Sequence, residues 1–199
     1  LSAKRLFDFT ASLAGLLLMS PLLAVIALAI RLESPGPAFF LQERVGYLGR
    51  TFRIIKFRTM RRNAPSEGPQ ITVGSDPRIT RIGHLLRKSK LDELPQLFNV
   101  VKGEMSLVGP RPEVPAFMAR YTPEQRSVIL SVRPGITDFA AIEFSDEAEI
   151  LARAKDPETA YVNEVMPRKF ALYKRYVDER SLRLDIQLIG RTLAKIVKG

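Results

Sequence analysis

Leu13-Ala-Gly-Leu-Leu-Leu-Met-Ser-Pro-Leu-Leu-Ala-Val-Ile-Ala-Leu-Ala-Ile30 carries no charge over eighteen residues. At ~1.5 Å per residue this is about the shortest helix that crosses the hydrocarbon layer of a bilayer. Pro21 lacks a backbone donor and its ring collides with the carbonyl of Leu17, so a break is expected at Ser20-Pro21. Ser20 can satisfy the freed backbone group where no water is present. Lys4 and Arg5 precede the run. Arg31, Arg44, Arg50, Arg53, Lys56, Arg58, Arg61 and Arg62 follow it against two acids, Glu33 and Glu43. Cationic flanks favour the cytoplasmic side, and here both flanks are cationic. A re-entrant helix that enters and leaves one leaflet fits the break and the flanks; a spanning anchor fits the length. A cleaved signal peptide fits the Lys4-Arg5 start but not the length of the run. A buried helix of a soluble protein is the plain alternative.

Outward from this run, Ser34-Pro-Gly-Pro37 ends the helix, and the pattern changes from helical to alternating. Phe39–Gly46 and Thr51–Arg58 read as two strands of a small β-hairpin joined through Tyr47–Arg50. Residues 63–76 are rich in Pro, Gly and Ser and read as a loop. Thr122-Pro-Glu-Gln125 is a capping box with proline at the first helical position, opening a helix that ends before Arg133-Pro-Gly135. Residues 146–155 and 167–177 read as further helices. In the tail, Leu182, Ile186, Ile189, Leu193 and Ile196 form an apolar stripe, with Arg183, Arg191, Lys195 and Lys198 off it. Such a helix either packs on the core or lies in a membrane interface. The fold class is α+β and mainly helical. It comprises an N-terminal apolar helix, re-entrant or spanning, a β-hairpin and amphipathic helices that pack on the core or lie in the interface. One domain spans 1–199; on the re-entrant reading, 1–34 is a membrane-inserted helical hairpin and 35–199 lies wholly on one side of the membrane.

The chain has no cysteine, which excludes disulfides, thiolate zinc sites and cysteine nucleophiles. His84 is the only histidine, so a Ser-His-Asp triad would hang on one residue in an Arg/Lys-rich helix. The formal net charge of +10 calls for an anionic partner: nucleic acid, anionic lipid or a phosphorylated substrate. Walker and dinucleotide-binding glycine motifs are missing, and no nucleic-acid module is recognisable.

The chemistry-bearing pair is Asp92-Glu93. Arg87, Lys88 and Lys90 stand upstream, and Arg111 follows between Pro110 and Pro112. Paired carboxylates beside fixed cations can hold Mg²⁺ and a polyphosphate together. A solvated helix start with ordinary charge pairs is the bland reading. Pro95 tolerates only the first turn of a helix, and Gly103 fits a left-handed stop. Asp92 and Glu93 are thereby expected at the positive end of a short helix, which favours their ionised forms.

Lys4-Arg-Leu-Phe-Asp8, the apolar run with Ser20-Pro21, Ser34-Pro-Gly-Pro37, Gln42-Glu-Arg-Val-Gly46 and Lys56-Phe-Arg-Thr-Met60 occur in that order. Ser89-Lys-Leu-Asp-Glu-Leu-Pro-Gln96, Met105-Ser-Leu-Val-Gly-Pro-Arg-Pro112 and Val132-Arg-Pro-Gly-Ile-Thr137 follow. Together they resemble the bacterial sugar transferases, monotopic polyprenol-phosphate phosphoglycosyl transferases that begin glycan assembly on the cytoplasmic membrane. The resemblance covers almost the whole chain. It implies transfer of a sugar phosphate from a UDP-sugar to a polyprenol phosphate with release of UMP. It implies Asp92 as nucleophile, Glu93 as its catalytic neighbour, and Mg²⁺ held at Asp92 and Glu93. Arg87 and Arg111 are implied as phosphate or structural partners, Pro110 and Pro112 as flanks of that phosphate site, and Lys56 and Arg58 as residues that line or brace it. The re-entrant reading of Ser20-Pro21 becomes the favoured one, with the catalytic part on the cytoplasmic face of the inner membrane. The expected partners are the UDP-sugar, the polyprenol phosphate and membrane phospholipid, with no nucleic acid; homo-oligomer formation is left open.

Two departures from the family pattern stand out. Asp138-Phe139 follows Thr137 where Gly-Leu is common, and Ser181-Leu-Arg-Leu-Asp185 replaces a common aromatic pair; both bear on sugar choice or lipid-facing packing. The small single-domain form of the family, without a preceding four-helix membrane region, is the expected one. The rival from another class is a non-catalytic adaptor whose basic face binds anionic lipid.

Overall fold

The computed structural model describes residues 2–63, 73, 74, 76–145 and 147–198. Helix α1 (Ala3–Glu33) opens on Ser2, whose hydroxyl accepts from the Arg5 N–H, and runs unbroken through Pro21. The expected break therefore takes a different form: one continuous helix, not two helices joined by a turn. The Leu17 carbonyl that Pro21 cannot serve accepts from the Ser20 hydroxyl at 2.9 Å. That bond supplies locally what the proline removes. The face of α1 carrying Asp8, Ser12, Leu16, Ile26 and Ile30 is buried, at helical spacing. Leu17 and Leu18, in the middle of the run, remain 69% and 84% exposed.

Both ends of α1 dock on the same body. At its start, Lys4 pairs with Asp185 at 2.6 Å. Arg5 donates to the Val100 and Val101 carbonyls at 2.6 and 2.9 Å. Asp8 accepts from the Ser106 hydroxyl and the Leu107 N–H. At its end, Ile26 and Ile30 pack with Phe57 and Leu86, and the Arg58 guanidinium donates to the Ser34 and Pro35 carbonyls at 2.8 and 2.9 Å.

The expected hairpin is present. Strands β1 (Phe39–Val45) and β2 (Thr51–Phe57) pair antiparallel from Phe39 opposite Phe57 to Val45 opposite Thr51. The loop expected over 63–76 lies largely outside the described residues. Helix α2 (Arg81–Lys88) is capped by Thr80, and α3 (Gln96–Lys102) stops at Gly103 in the left-handed conformation, φ 87°. Strand β3 (Ser106–Val108) leads to α4 (Pro115–Met118) and to α5 (Pro123–Ile129), which opens on the capping box Thr122/Gln125. Strand β4 (Gly135–Thr137) then pairs in parallel with β3, a contact the alternation pattern did not disclose. A Cβ on Gly135 would lie 2.0 Å from the Gly109 backbone nitrogen, so this crossing needs glycine.

Four helices complete the described fold before the tail. They are α6 (Phe139–Glu143), α7 (Glu147–Ala152), α8 (Pro157–Ala160) and α9 (Met166–Glu179), with a π-helical segment, Tyr161–Val165, between the last two. The largest core cluster joins α4, α5, α6, α7 and α9 through Phe117, Ile129, Ala140, Leu151 and Tyr173.

Helix α10 (Leu182–Lys198) is present as the tail pattern predicts, and it bears on the choice between core packing and exposure. Its buried positions are Asp185 and Leu188, while Leu182, Ile186, Leu193 and Ile196 of the apolar stripe are 37%, 53%, 58% and 37% exposed. The stripe therefore does not bury into the core. Leu188 packs with Val108, Phe139 and Tyr176, and Ile189 alone of the stripe joins them.

Candidate active site

Asp92 and Glu93 lie on a 3-10 turn, Leu91–Glu93, that enters from Lys90 in the left-handed conformation (φ 56°). They precede α3 and do not occupy its first turn; Pro95 sits at the N-cap position of α3. Asn99 on α3 fixes this turn against β2. Its side chain accepts from the Ile55 N–H at 3.0 Å and donates to the Arg53 carbonyl at 2.8 Å. That register brings Lys56, the next residue of β2, to Glu93 at 2.8 Å. Arg111, held just past the β3–β4 crossing, reaches the same carboxylate with two bonds, 2.5 and 3.2 Å. Both Glu93 oxygens are thus taken by cations.

The two neighbouring acids have opposite electrostatics. Burial works to raise Glu93, but Arg111 and Lys56 overcome it and hold this carboxyl well below its ordinary range. Burial, with the Glu93 charge second, pushes the Asp92 carboxyl above its ordinary value. The helix-end expectation is therefore reversed for Asp92: desolvation outweighs any helix dipole. Asp92 is 8% exposed, and among the described residues its Oδ1 has no hydrogen-bond partner. Burial also lowers Lys56, against the pull of Glu93, to about 8, and Glu93 raises Arg111.

A cleft of about 780 Å³ opens beside this turn and is lined by Asp92, Glu93, Lys56, Arg58, Arg87 and Arg111. Arg87 has only a long 3.5 Å contact to the Thr59 hydroxyl, which leaves its guanidinium facing the cleft for an anion. Lys88 and Lys90 add charge to the same wall. Arg58 lines the cleft but spends its donors on the end of α1, so it braces. Pro110 and Pro112 line a separate small pocket. Their carbonyls accept from the Gly135 N–H at 3.0 Å and from Arg44 at 2.9 Å, which fixes the backbone on either side of Arg111.

Sequence reasoning missed Lys169 and Glu147, which also line the cleft. Lys169 is 5% exposed, forms a salt bridge with Glu147, and sits 5.0 Å from the Tyr161 ring centre. A signal existed: the buried stripe of α9 is Met166, Lys169, Tyr173 and Tyr176, and a lysine on an otherwise apolar and aromatic stripe calls for a buried partner. Asp138, one of the two departures, caps α6 through the Ala141 N–H at 2.6 Å. Burial raises its carboxyl to about 6.

Among the described residues no three His, Cys, Asp or Glu side chains cluster as a ready metal cage. Mg²⁺ is ordinarily held by one or two carboxylates together with substrate phosphates and water. The unpartnered Asp92 oxygen suits that arrangement. Glu93 Oε2 accepts one bond, from Arg111 at 3.2 Å, and keeps a lone pair that a metal could use beside that cation.

The family described as bacterial sugar transferase matches residues 1–199. A UDP-N-acetylgalactosamine-undecaprenyl-phosphate N-acetylgalactosaminephosphotransferase of Aeromonas hydrophila is 39% identical over 198 residues, covering 98% of this chain and 44% of the relative. An undecaprenyl-phosphate glucose phosphotransferase of Komagataeibacter xylinus is 40% identical over 198 residues, covering 96% of this chain and 35% of the relative. A putative undecaprenyl-phosphate N-acetylgalactosaminyl 1-phosphate transferase of Bacillus subtilis is 47% identical over 124 residues, covering 62% of this chain and 69% of the relative. The chain spans less than half the length of the first two.

Proposed function

Because the chain belongs to the bacterial sugar transferase family, we propose that it moves a sugar 1-phosphate from a UDP-sugar to a membrane polyprenol phosphate. The observation that carries this reading is the buried Asp92, with one oxygen unpartnered, facing a cation-lined cleft. The relatives act on undecaprenyl phosphate, and their names differ in the sugar, so the sugar stays open.

In the first step an Asp92 oxygen attacks the sugar-proximal phosphorus. A bond from that oxygen to phosphorus forms, the phosphoanhydride to the uridylyl phosphate breaks, and UMP leaves with the electron pair. In the second step an oxygen of the polyprenol phosphate attacks the same phosphorus and Asp92 departs as a carboxylate. One high-energy linkage is exchanged for another twice, so neither step is steeply uphill. Bound Mg²⁺ would neutralise phosphate charge, with Asp92 and the less occupied Oε2 of Glu93 as the protein groups that would hold it. Arg87, Lys88 and Lys90 bind and orient the diphosphate. Glu93 holds Lys56 and Arg111 beside the reacting phosphorus, where their charge offsets that of the phosphoryl oxygens.

Placement at the cytoplasmic face of the inner membrane belongs to the same reading. A spanning α1 would separate its ends by a bilayer, whereas Lys4, Arg5 and Asp8 at one end and Ile26 and Ile30 at the other bind one body. That supports re-entry into a single leaflet, with exposed Leu17 and Leu18 in lipid. The exposed stripe of α10 supports an interface helix touching phospholipid. A non-catalytic adaptor would give no reason for burying a carboxylate with an unpartnered oxygen, and family membership weighs against it.

The test is a panel of UDP-sugars with polyprenol phosphate, scored for UMP release. Initial rates varied in both substrates should give parallel double-reciprocal lines. Intact mass after exposure to the donor alone should show a sugar-phosphate adduct, lost in Asp92→Asn. Intersecting lines without an adduct would replace the two-step scheme by direct transfer, and normal turnover by Asp92→Asn would end the assignment.

A further inference from the structure

The cleft beside Asp92 is not uniform. Its cationic wall comes from β2, α2 and the 91–93 turn, but its far part is apolar: Leu97 of α3, Leu107 of β3, Ile136 of β4, and Ile189, Leu193 and Ile196 of α10. Polar groups there are already satisfied. Thr137 and Thr192 hydrogen-bond to each other at 2.6 Å, and the Thr192 hydroxyl also contacts the Leu188 carbonyl at 2.8 Å. Leu193 and Ile196 line this part while remaining 58% and 37% exposed, so the apolar wall continues to the outer surface. Leu97 lines the cleft too, and its Cδ1 lies 3.4 Å from the position of a Cβ on Gly15, inside the apolar run of α1. Lys195 of α10 also lines it but donates to the Ile142 carbonyl at 2.6 Å. The cleft that holds Asp92 thus shares apolar lining with the contact to α1 and with the exposed stripe of α10.

From this geometry we infer that the groove between Leu97 and the Ile189–Leu193–Ile196 face of α10 takes the first isoprene units of the acceptor lipid. The inference rests on the functional reading above and deepens it. A nucleotide sugar offers no long apolar part, whereas a polyprenol phosphate is an anion on an apolar chain. Its phosphate would meet the Asp92 end and its chain would leave along α10 towards lipid. The apolar stripe of α10 then has two uses. Leu182 and Ile186, which do not line the cleft, face the bilayer surface; Leu193 and Ile196 face the substrate.

The experiment uses the full chain in mixed micelles. Leu193→Gln should raise KM for an undecaprenyl phosphate about tenfold more than KM for the UDP-sugar, the size expected when one buried leucine contact is lost. The discrimination should shrink as the acceptor's isoprene chain is shortened and loses its contacts in the groove. Ile186→Gln, an equally polar change on the same helix outside the groove, should raise the acceptor KM several-fold less than Leu193→Gln does and leave the UDP-sugar KM within twofold. Equal acceptor effects from Leu193→Gln and Ile186→Gln would overturn the groove, because they would report membrane docking of α10 as a whole. A polyprenyl phosphate bearing a diazirine near its phosphate, photolysed on the unmodified protein, provides a second measurement that needs no variant. Label on Leu97 or residues 189–196 supports the inference, and label confined to the outer face of α1 overturns it. Absence of UMP release with every UDP-sugar would instead defeat the functional reading, while the photolabel still decides the groove.

Discussion

Two buried clusters of acids and cations in this chain use the same residue types to different ends. At the foot of α1, Asp8 and Asp185 share Lys4, and every carboxylate oxygen has a donor. Ser106 and Leu107 serve Asp8, while Tyr176 at 2.8 Å and Lys4 serve Asp185. On the 91–93 turn, both Glu93 oxygens have a donor in Lys56 or Arg111, but among the described residues its neighbour Asp92 keeps an oxygen with no partner. A buried polar group without a partner costs free energy, so folds ordinarily close such clusters. The first cluster is closed and joins four elements, α1, β3, α9 and α10; the second is left open where a substrate would complete it. The difference separates a structural carboxylate from a reactive one more sharply than burial does, because Asp8, Asp185 and Asp92 are all buried.

The largest effect expected from that contrast is on turnover. Asp92→Asn should lower sugar-phosphate transfer by about four orders of magnitude or more, since the amide cannot form the acyl phosphate. The folded state should lose nothing, because an amide removes the burial penalty that now raises the Asp92 carboxyl. Urea unfolding should show a midpoint equal to or above the parent's. A markedly lowered midpoint would mean that Asp92, like Asp8, is a structural carboxylate.

The closed clusters should behave in the opposite sense. Asp8→Ala strands the Leu107 N–H, leaves the Ser106 hydroxyl only the Val108 carbonyl to donate to, and removes one of the two carboxylates near Lys4. A loss of about 3 kcal/mol of stability is expected. Glu93→Gln should also destabilise, by roughly 2–4 kcal/mol, by leaving Lys56 and Arg111 without a counter-charge. It should impair turnover too. If Glu93→Gln unfolds at the parent's urea concentration, the clamp on Glu93 is not a closed cluster and the contrast fails.

Much of this frame is legible in sequence, and what is not has a common cause. The β-hairpin follows from alternation between two turn-rich segments, α5 from its capping box, and the end of α3 from Gly103: all are local signals. The opposite fates of Asp92 and Glu93 are not local, because they depend on Lys56 and Arg111, 37 and 18 residues away. Nor could the role of Arg58 be read from its position in a basic strand; its partners are the last carbonyls of α1. The tail stripe left its placement open for a related reason. Its spacing is that of a helix, but the core takes the adjoining face around Asp185 and Leu188. A charged residue inside a stripe, as at Asp8, Lys169 or Asp185, was the usable sign of a distant partner in all three places.

A smaller effect, in pH, sharpens the contrast at Lys56. Burial brings this amine down to about 8, so activity should decline as pH rises through that value and Glu93 loses one of its two cations. Stability should move the other way. The unfolded chain keeps Lys56 near its ordinary value of 10.5. Between about 8 and 10.5 the unfolded state therefore binds more protons, and this group's contribution to unfolding free energy rises with pH. A basic limb accompanied by unchanged or rising stability identifies local titration. Lys56→Met should be slower at neutral pH and lack the limb; an identical limb in Lys56→Met would assign it to another group.

The smallest effect concerns Pro21, and here the closed cluster at the foot of α1 is put to the test. Pro21→Leu restores a backbone donor and removes the ring clash, so α1 gains one hydrogen bond and a straighter course becomes accessible. Lys4, Arg5 and Asp8 nevertheless still hold the start of the helix to residues 100–108 and 185, and the cationic flanks still oppose export. Since the chain has no native cysteine, single cysteines at Ser2 and Ser181 can be labelled in intact cells with a membrane-impermeant thiol reagent. Both should stay protected in the parent, and Pro21→Leu should expose Ser2 in only a small fraction of molecules. Combining Pro21→Leu with Asp8→Ala should raise that fraction, because the polar lock and the proline then fail together. Full external labelling at Ser2 in the parent would show that α1 spans the bilayer. The docking of both its ends on one body would then not be its arrangement in the membrane.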